Sequence, residues 1–352
     1  MISHWERRHL RRWRTLLFAA ALSAGAVLCA DAQSFDQAGT RAKGMGGAFV
    51  AVADDATATW WNPAGVPNSF VVDAVLDVQA SGFTDNGPVA ANRSAGTRNG
   101  VAGFAFCFPA VGLSYYRVRQ TGIDPATAAG VPGRQDPATG PLARSLLTEQ
   151  FGVSLVQSLG DRLVVGATVR VVHGGVATAP SVAGDADASL DAAAEADGPT
   201  RTTGDVDVGA VLHLKRLRLA VAARNLAAPE FPASDGRDWR IDRIVRVGMA
   251  VVAEAHRAGR QDWTVSADAD LTRETTPFGD RRDVAVGAER WIAHRRVGVR
   301  GGLRVSTVDD ARAAVSGGAS VGLTSGVWVE TQATGGADRT TRGWGIDAHV
   351  MF

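Results

Sequence analysis

Four places in this 352-residue chain begin a pattern that chemistry would need. Gly44-x-Gly46-Gly47 has the bare backbone that suits a phosphate, but a phosphate loop follows a strand and opens a helix inside a βαβ unit, and no such unit surrounds it. Asp185, Asp187 and Asp191 present spaced carboxylates of the kind calcium takes. They lack the turn glycine and closing glutamate of a calcium loop, so solvated carboxylates are expected. The seven histidines, two of them within the first 32 residues, have no metal-ligand spacing. His173, His213 and His349 each stand alone on an alternating segment, which suits solvated or strand-end side chains. No serine or cysteine sits in a nucleophile motif such as G-x-S-x-G with a base and an orienting acid. These patterns predict no catalysis, no metal and no cofactor.

The elements around them begin with a leader. Arg7, Arg8, Arg11, Arg12 and Arg14 precede an apolar run from Leu16 to Leu28, and Ala30-Asp31-Ala32 offers a small-x-small cleavage site. That three-part layout is a secretory signal peptide over residues 1–32. The bulky Leu28 before Cys29 argues against a lipoprotein signal, which takes a small residue there. Cleavage removes the five arginines, Glu6 and Asp31 and leaves a net charge of about −2, with no long basic run after Arg14. Nucleic acid is therefore not an expected partner. Cys107, alone after cleavage, cannot form an internal disulfide. No later stretch approaches the ~18 uninterrupted apolar residues of a membrane-spanning helix.

From Phe70 onward, segments alternate apolar with polar or small residues, the period-two signature of a strand with two unlike faces. In Trp344 to Phe352 the even positions are apolar and the odd ones include Gly345, Asp347 and His349. Val72, Ala74, Leu76 and Val78 likewise oppose Asp73, Asp77 and Gln79. Leu163 to Val171 and Trp263 to Leu271 repeat the split.

Fourteen such segments are predicted: 70–79, 99–107, 110–119, 148–159, 163–173, 205–214, 217–226, 241–252, 263–272, 283–291, 297–305, 313–323, 327–334 and 343–352. Short connections at 108–109, 160–162, 215–216, 292–296 and 324–326, with a longer one at 253–262, alternate with longer loops at 80–98, 120–147, 174–204, 227–240, 273–282, 306–312 and 335–342. An even strand count with short turns on one side and long loops on the other is the mark of an up-and-down outer-membrane barrel. Trp239, Trp263, Trp291, Trp328 and Trp344 fall near strand ends, where aromatic girdles sit, although parity turns Trp328 inward. Charges such as Arg218, Arg224, Glu289, Arg300, Arg304 and Glu330 then face the lumen, because on the lipid side each would cost ~2–4 kcal/mol near the midplane. The fold class is all-β, an antiparallel transmembrane barrel of fourteen strands, located in the outer membrane.

Before the first strand, Gly39 to Gly65 does not alternate. Its run Gly44-Met45-Gly46-Gly47-Ala48-Phe49-Val50-Ala51-Val52-Ala53-Asp54-Asp55, followed by Asn62-Pro63-Ala64-Gly65, resembles the amino-terminal hatch of the FadL and TodX family of outer-membrane transporters for hydrophobic compounds. The related PorV and PorQ-like barrels begin similarly. The resemblance implies a short hatch folded inside the lumen, with Gly44, Gly46, Gly47, Asp54, Asp55, Asn62, Pro63 and Gly65 at motif positions. Three regions follow: signal peptide 1–32, hatch or plug 33–69, and barrel 70–352. Read from the residues, the glycines permit tight approaches and positive φ, Asn62-Pro63 forces an extended turn, and Asp54 and Asp55 are placed to cap a helix over 56–61.

The aromatics Phe104, Phe106, Tyr115 and Tyr116 suit a lipid-facing girdle, or else a hydrophobic path feeding a lateral opening. The resemblance implies uptake of a hydrophobic small molecule, a long-chain fatty acid or an aromatic hydrocarbon, past the hatch. A PorV-like scaffold or shuttle with secretion-system proteins as partners is the alternative. Outer-membrane lipid is the expected surround. A terminal aromatic on an alternating strand, Phe352, resembles the signal read by the barrel-assembly machinery.

Overall fold

A computed structural model describes residues 35–68, 72–85, 95–123, 142–182, 184–236, 238–254, 261–276, 279–308 and 312–352. The signal-peptide reading over 1–32 and the expected strand start at Phe70 lie outside the described residues.

Fourteen strands close into a barrel. They are β1 (Asp73–Thr84), β2 (Gly96–Phe108), β3 (Val111–Ile123), β4 (Leu142–Leu159), β5 (Leu163–Pro180), β6 (Arg201–Leu214) and β7 (Leu217–Arg224), followed by β8 (Ile244–Glu254), β9 (Gln261–Asp270), β10 (Asp283–Ile292), β11 (Val297–Ser306), β12 (Ala313–Thr324), β13 (Val327–Gly336) and β14 (Gly343–Met351). Each pairs antiparallel with its sequence neighbours, and β14 closes on β1 with Asp73 opposite Met351 and Asp77 opposite Asp347. Phe352 extends the seam by donating its N–H to the Val72 carbonyl at 2.9 Å. Closure leaves no edge strand with bare backbone groups.

Parity decides which way each side chain points. On β1, Asp73, Val75, Asp77 and Gln79 are buried while Leu76 and Val78 are exposed; on β14, Asp347 and His349 are buried while Trp344 and Ile346 are exposed. The outer wall thus carries exposed apolar side chains such as Phe151, Val169, Val265 and Leu303, and the inside carries buried charges. Arg218, Arg224, Glu289, Arg300, Arg304 and Glu330 all lie inside as parity requires.

Several local expectations change. β4 and β5 run six and seven residues beyond the predicted ends at 148 and 173, because something covers both of their faces there. The stretch 174–204 holds a helix, α3 (Ala186–Glu195), capped by Asp185 Oδ1 accepting from the Ala188 N–H at 2.9 Å. Asp187 and Asp191 are exposed carboxylates, as expected, and both pair with Arg98. Leu190, Ala186 and Ala193 of this helix pack on Ile123, Ala143 and Ala179, whose odd parity on β3–β5 places them on the outer face. A hairpin pairing Glu230–Pro232 with Asp238–Arg240 packs Phe231 and Trp239 on Leu146, Val172 and Val176, whose even parity places them on the inner face. One barrel extension is therefore clasped from both sides.

The aromatic girdle is also corrected. Trp344 is exposed on the outer wall, but Trp239, Trp291 and Trp328 are buried. Trp291 falls on the inward parity of β10, and its ring lies 4.5 Å under the Arg295 guanidinium. His349 is neither solvated nor alone: its Nε2 lies 3.1 Å from Asp73 and its Nδ1 3.8 Å from Glu330.

Candidate functional site

The inside of the barrel is occupied by residues 35–68. This segment makes two short helices, α1 (Thr40–Gly44) and α2 (Ala58–Trp61), and a 3₁₀ turn, Pro63–Asn68. Helices this short cannot hold themselves, so other contacts must. Phe35 and Phe49 meet the Trp61 ring edge-on at 5.3 and 5.8 Å. Trp60 Nε1 donates to the Phe35 carbonyl at 2.8 Å and Trp61 Nε1 to the Ala38 carbonyl at 2.9 Å. Asn62, fully buried, donates from Nδ2 to the Val50 carbonyl at 2.9 Å and accepts from the Ala64 N–H at 3.1 Å.

The motif residues are brought together here, each with a structural task. Gly46 and Gly47 have φ of +71° and +83°, a left-handed backbone that penalises other residues. Gly44 has no room for a side chain beside Arg300, and Gly65 none beside the Ala53 carbonyl. Asn62 is extended, with φ −162°, as its position before Pro63 requires. The capping role expected of Asp54 is not observed, while Asp55 Oδ1 accepts the Thr57 N–H at 2.9 Å at the turn that opens the 56–61 stretch. The helix begins at Ala58 behind Thr57 with no side-chain cap. Both carboxylates turn to Arg41 Nη1, at 2.6 and 2.9 Å. Burial pushes both carboxyls up, an effect that Arg41 and Arg218 overcome at Asp54 but that prevails at Asp55.

Charged side chains of the wall grip the first half of the segment. Arg41 forks onto Glu289 of β10 at 2.9 and 2.6 Å. Asp36 joins Arg246 of β8 at 2.5 Å and Arg304 of β11. Burial pushes the Asp36 carboxyl up, but Arg246 and Arg304 outweigh it and hold it at about 2. Asp268 of β9 accepts the Phe49 and Val50 N–H groups, both at 2.8 Å. Asp77 of β1 accepts from the Gly39 N–H at 2.9 Å and the Thr40 hydroxyl at 2.7 Å. Arg246 also lies over the Phe35 ring at 4.2 Å. Buried charges of this kind persist only when paired and hydrogen-bonded.

Shape holds the second half. A Cβ on Gly166 of β5 would stand 2.5 Å from the Pro63 carbonyl carbon, and one on Gly112 of β3 would stand 2.6 Å from Thr59 Cγ2. Gly209 of β6 similarly has no room beside Asn62, nor Gly287 and Gly302 beside Met45. These inward glycines, with Asp36, Asp77, Asp268 and Arg246, are the residues that sequence reasoning missed. The one local trace they leave is glycine at inward parity, where neighbouring strands place polar side chains.

The four candidate path aromatics are divided. Phe104 is exposed on the outer wall with Tyr115 5.9 Å away, and Phe106 packs on Phe108 at 4.6 Å. Tyr116 is buried inside, edge-on to Trp60 at 5.1 Å. Two spaces adjoin these regions. A polar cavity of about 30 Å³ above α1 is lined by Asp36, Lys43, Asn99, Gln120, Arg281 and Arg304, enough for a water or two. Burial, then Arg304, lowers Lys43 there to about 8. A larger cleft of about 310 Å³ lies between the chain after α3 and the outward faces of β3–β5, lined by Arg119, Leu147, Glu149, His173 and Ala194 among others. On the same face, outside the cleft lining, Tyr115 pairs with Phe151 one row from the Arg117–Glu149 pair.

The family model described as "F plasmid transfer operon, TraF, protein" matches residues 95–270, half of the chain, running from β2 to β9. No curated protein matches the sequence. Among solved structures, the CymD monoaromatic hydrocarbon channel aligns with 91% of this chain and 99% of its own, at TM-score 0.61 and 11% identity. The Ralstonia pickettii toluene transporter TbuX aligns with 91% and 99%, at TM-score 0.57 and 12% identity. A Pseudomonas aeruginosa FadL homologue aligns with 93% and 99%, at TM-score 0.54 and 11% identity. At these identities the likeness is one of fold.

Proposed function

The chain belongs to the family described as the F plasmid transfer operon TraF protein, and from that premise and its hydrocarbon-channel fold we propose an outer-membrane channel for hydrophobic small molecules. Long-chain fatty acids or aromatic hydrocarbons are the substrate class, and residues 35–68 act as its hatch. The observation that carries this reading is the stopper itself. A barrel whose only task was to anchor something in the membrane would need no internal segment held at this density of buried contacts.

In this reading an apolar molecule reaches the loop end of the barrel, where a cleft of about 310 Å³ has the size of a small-molecule site. Phe231 and Trp239 line the inner side of the same clasped extension. Passage then requires the hatch to shift, because its side chains fill the cross-section. No bond is made or broken. The work is done by an apolar route through the polar surface layer and by a plug whose contacts can be exchanged.

The test is uptake. Cells producing the chain are expected to accumulate labelled oleate or toluene faster than cells lacking it. Equal rates for both compounds would contradict the channel.

Two observations favour a second reading. The family's description refers to a transfer operon, and the hatch is ion-paired on several sides rather than loosely seated. Both suit a closed barrel serving as a scaffold or shuttle for secretion or assembly proteins. A tagged barrel isolated in mild detergent would then retain a partner protein in fixed ratio; absence of any partner counts against this reading.

A further inference from the structure

The two ends of the barrel treat their cations differently. At the loop end most exposed arginines are matched within the chain: Arg98 with Asp187 and Asp191, Arg201 with Asp238, Arg240 with Glu230, Arg273 with Asp280, and Arg339 with Asp85. Arg282 and Arg342 bond neutral groups, Thr307 and the Gly336 carbonyl, and Arg243 is exposed without an acidic partner among the described residues. At the short-turn end Arg162, Lys215, Arg216 and Arg296 are exposed, and none has an acidic partner among the described residues. Asp161 is the one acidic residue in the described short turns at 109–110, 160–162, 215–216, 293–296 and 325–326. The described short turns thus carry four exposed cations against one acidic residue, whereas the loop end pairs most of its arginines with acids.

The rim is also rigid. The Arg162 carbonyl accepts from the His213 N–H of the next strand at 2.7 Å, the Arg216 carbonyl from Val252 at 2.9 Å, and the Arg296 carbonyl from Gly322 at 2.7 Å. Each turn's backbone is thereby stitched to its neighbour, which fixes where along the rim each cationic side chain starts. The exposed apolar wall runs up to the same level. Leu159 directly precedes Gly160, Ile292 directly precedes Ala293, and Leu323 lies two residues before Ser325, all exposed. Whatever solvent bathes that wall ends at these cations.

We infer that the short-turn rim is a binding site for anionic glycerophospholipid headgroups, with Arg162, Lys215, Arg216 and Arg296 taking their phosphates. This rests on the membrane placement proposed above. An apolar wall meeting a ring of unpaired guanidinium and ammonium groups matches an acyl chain meeting a phosphate, and each surface cation near an anionic leaflet is worth about 1 kcal/mol, roughly fivefold in affinity. An acidic protein would not need Leu159, Ile292 and Leu323 beside the charges.

The test uses the full chain, folded in detergent and moved into nanodiscs or mixed micelles containing phosphatidylglycerol and phosphatidylcholine in equal amounts. Co-purified lipid is counted by native mass spectrometry. The wild type is expected to retain phosphatidylglycerol over phosphatidylcholine by more than tenfold. R162Q/K215Q/R216Q/R296Q is expected to lose that preference while keeping its heat-modifiable gel shift, and R162K/R216K/R296K is expected to keep the preference. Indifference of the wild type to headgroup, or an unchanged preference in the glutamine variant, overturns the inference. So does tighter rim binding of polyglutamate than of phosphatidylglycerol vesicles, which would assign the rim to an acidic protein. A wild-type chain that retains neither lipid overturns the membrane placement as well. Failure of the channel reading appears in uptake alone and leaves these lipid ratios unmoved.

Discussion

Residues 35–54 and residues 56–68 rest against the same barrel wall but are held by different means. The first half is gripped mainly by charge: Arg41 by Glu289, Asp36 by Arg246 and Arg304, and backbone N–H groups by Asp77 and Asp268, with close fit added at Met45 against Gly287 and Gly302. The second half is held by fit, with Thr59, Asn62 and Pro63 lying on Gly112, Gly209 and Gly166, which leave no room for a side chain. Its charged contacts are fewer, Asp73 accepting the Ala56 N–H at 2.9 Å and Arg224 lying over the Trp60 ring at 3.9 Å, and Ser154 and Thr168, bonded to each other at 2.7 Å, are buried polar neighbours. A charged contact can be exchanged for a ligand, water or a proton, whereas a steric one yields only when something moves. Under the proposed hatch reading, the exchangeable part is α1 and the fixed part is α2 with the turn after it.

The largest effect should come from Arg41→Met. It leaves Glu289, Asp54 and Asp55 buried without their shared cation, and breaking a buried pair in this way costs about 3–5 kcal/mol. Urea unfolding followed by the gel shift should show that loss, and a loss below about 1 kcal/mol would mean the charged half is not gripped. Next is Gly166→Val, which drives a side chain into the Pro63 backbone. Overpacking of this kind costs about 1–3 kcal/mol, and the cost should not change with pH or salt. Salt sensitivity comparable to that of Arg41→Met would erase the distinction between the halves.

The third prediction concerns pH. The Asp36 carboxyl is held at about 2, below its ordinary 3.8. Its contribution is therefore complete above about pH 4 and is lost as pH falls through 2. It amounts to about 2 kcal/mol, and unfolding of Asp36→Asn should lack that part of the slope between pH 4 and 2. The smallest effect is expected for Arg98→Gln, which removes a half-exposed pairing with α3. Exposed pairs contribute about 0.2–1 kcal/mol, so protease protection of residues 186–195 should drop while global unfolding barely moves.

The barrel was legible because its strands separate two solvents. Leu76 and Val78 against Asp77 and Gln79 state the face of every neighbour, and the fourteen strands appear in the expected order. Where alternation stops, reading stopped. Ala143, Arg144, Ser145 and Leu146 are all buried, because α3 covers one face and the 230–240 hairpin the other, so the strand has no period of two to detect. Trp291 misled because nearness to a strand end suggested a girdle, while its odd position on β10 turned it inward.

The amino-terminal motif was visible as a motif, and its glycines and Asn62 do shape the backbone. Its partners were not visible. Arg41 and Glu289 are 248 residues apart, and nothing local in either sequence neighbourhood marks the pairing. Asp54 and Asp55 looked like caps because the local pattern before a helix permits it. A buried arginine took Asp54 from that role, and Asp55 keeps it at the Thr57 turn while also binding Arg41.

The most direct test is the ionic conductance of the barrel in a planar lipid bilayer, comparing the intact chain with one lacking residues 35–68 whose heat-modifiable gel shift confirms folding. The intact chain should pass almost no current, and the shortened one should open in large, long-lived steps. Equal conductance in the two would contradict a stopper built from this segment.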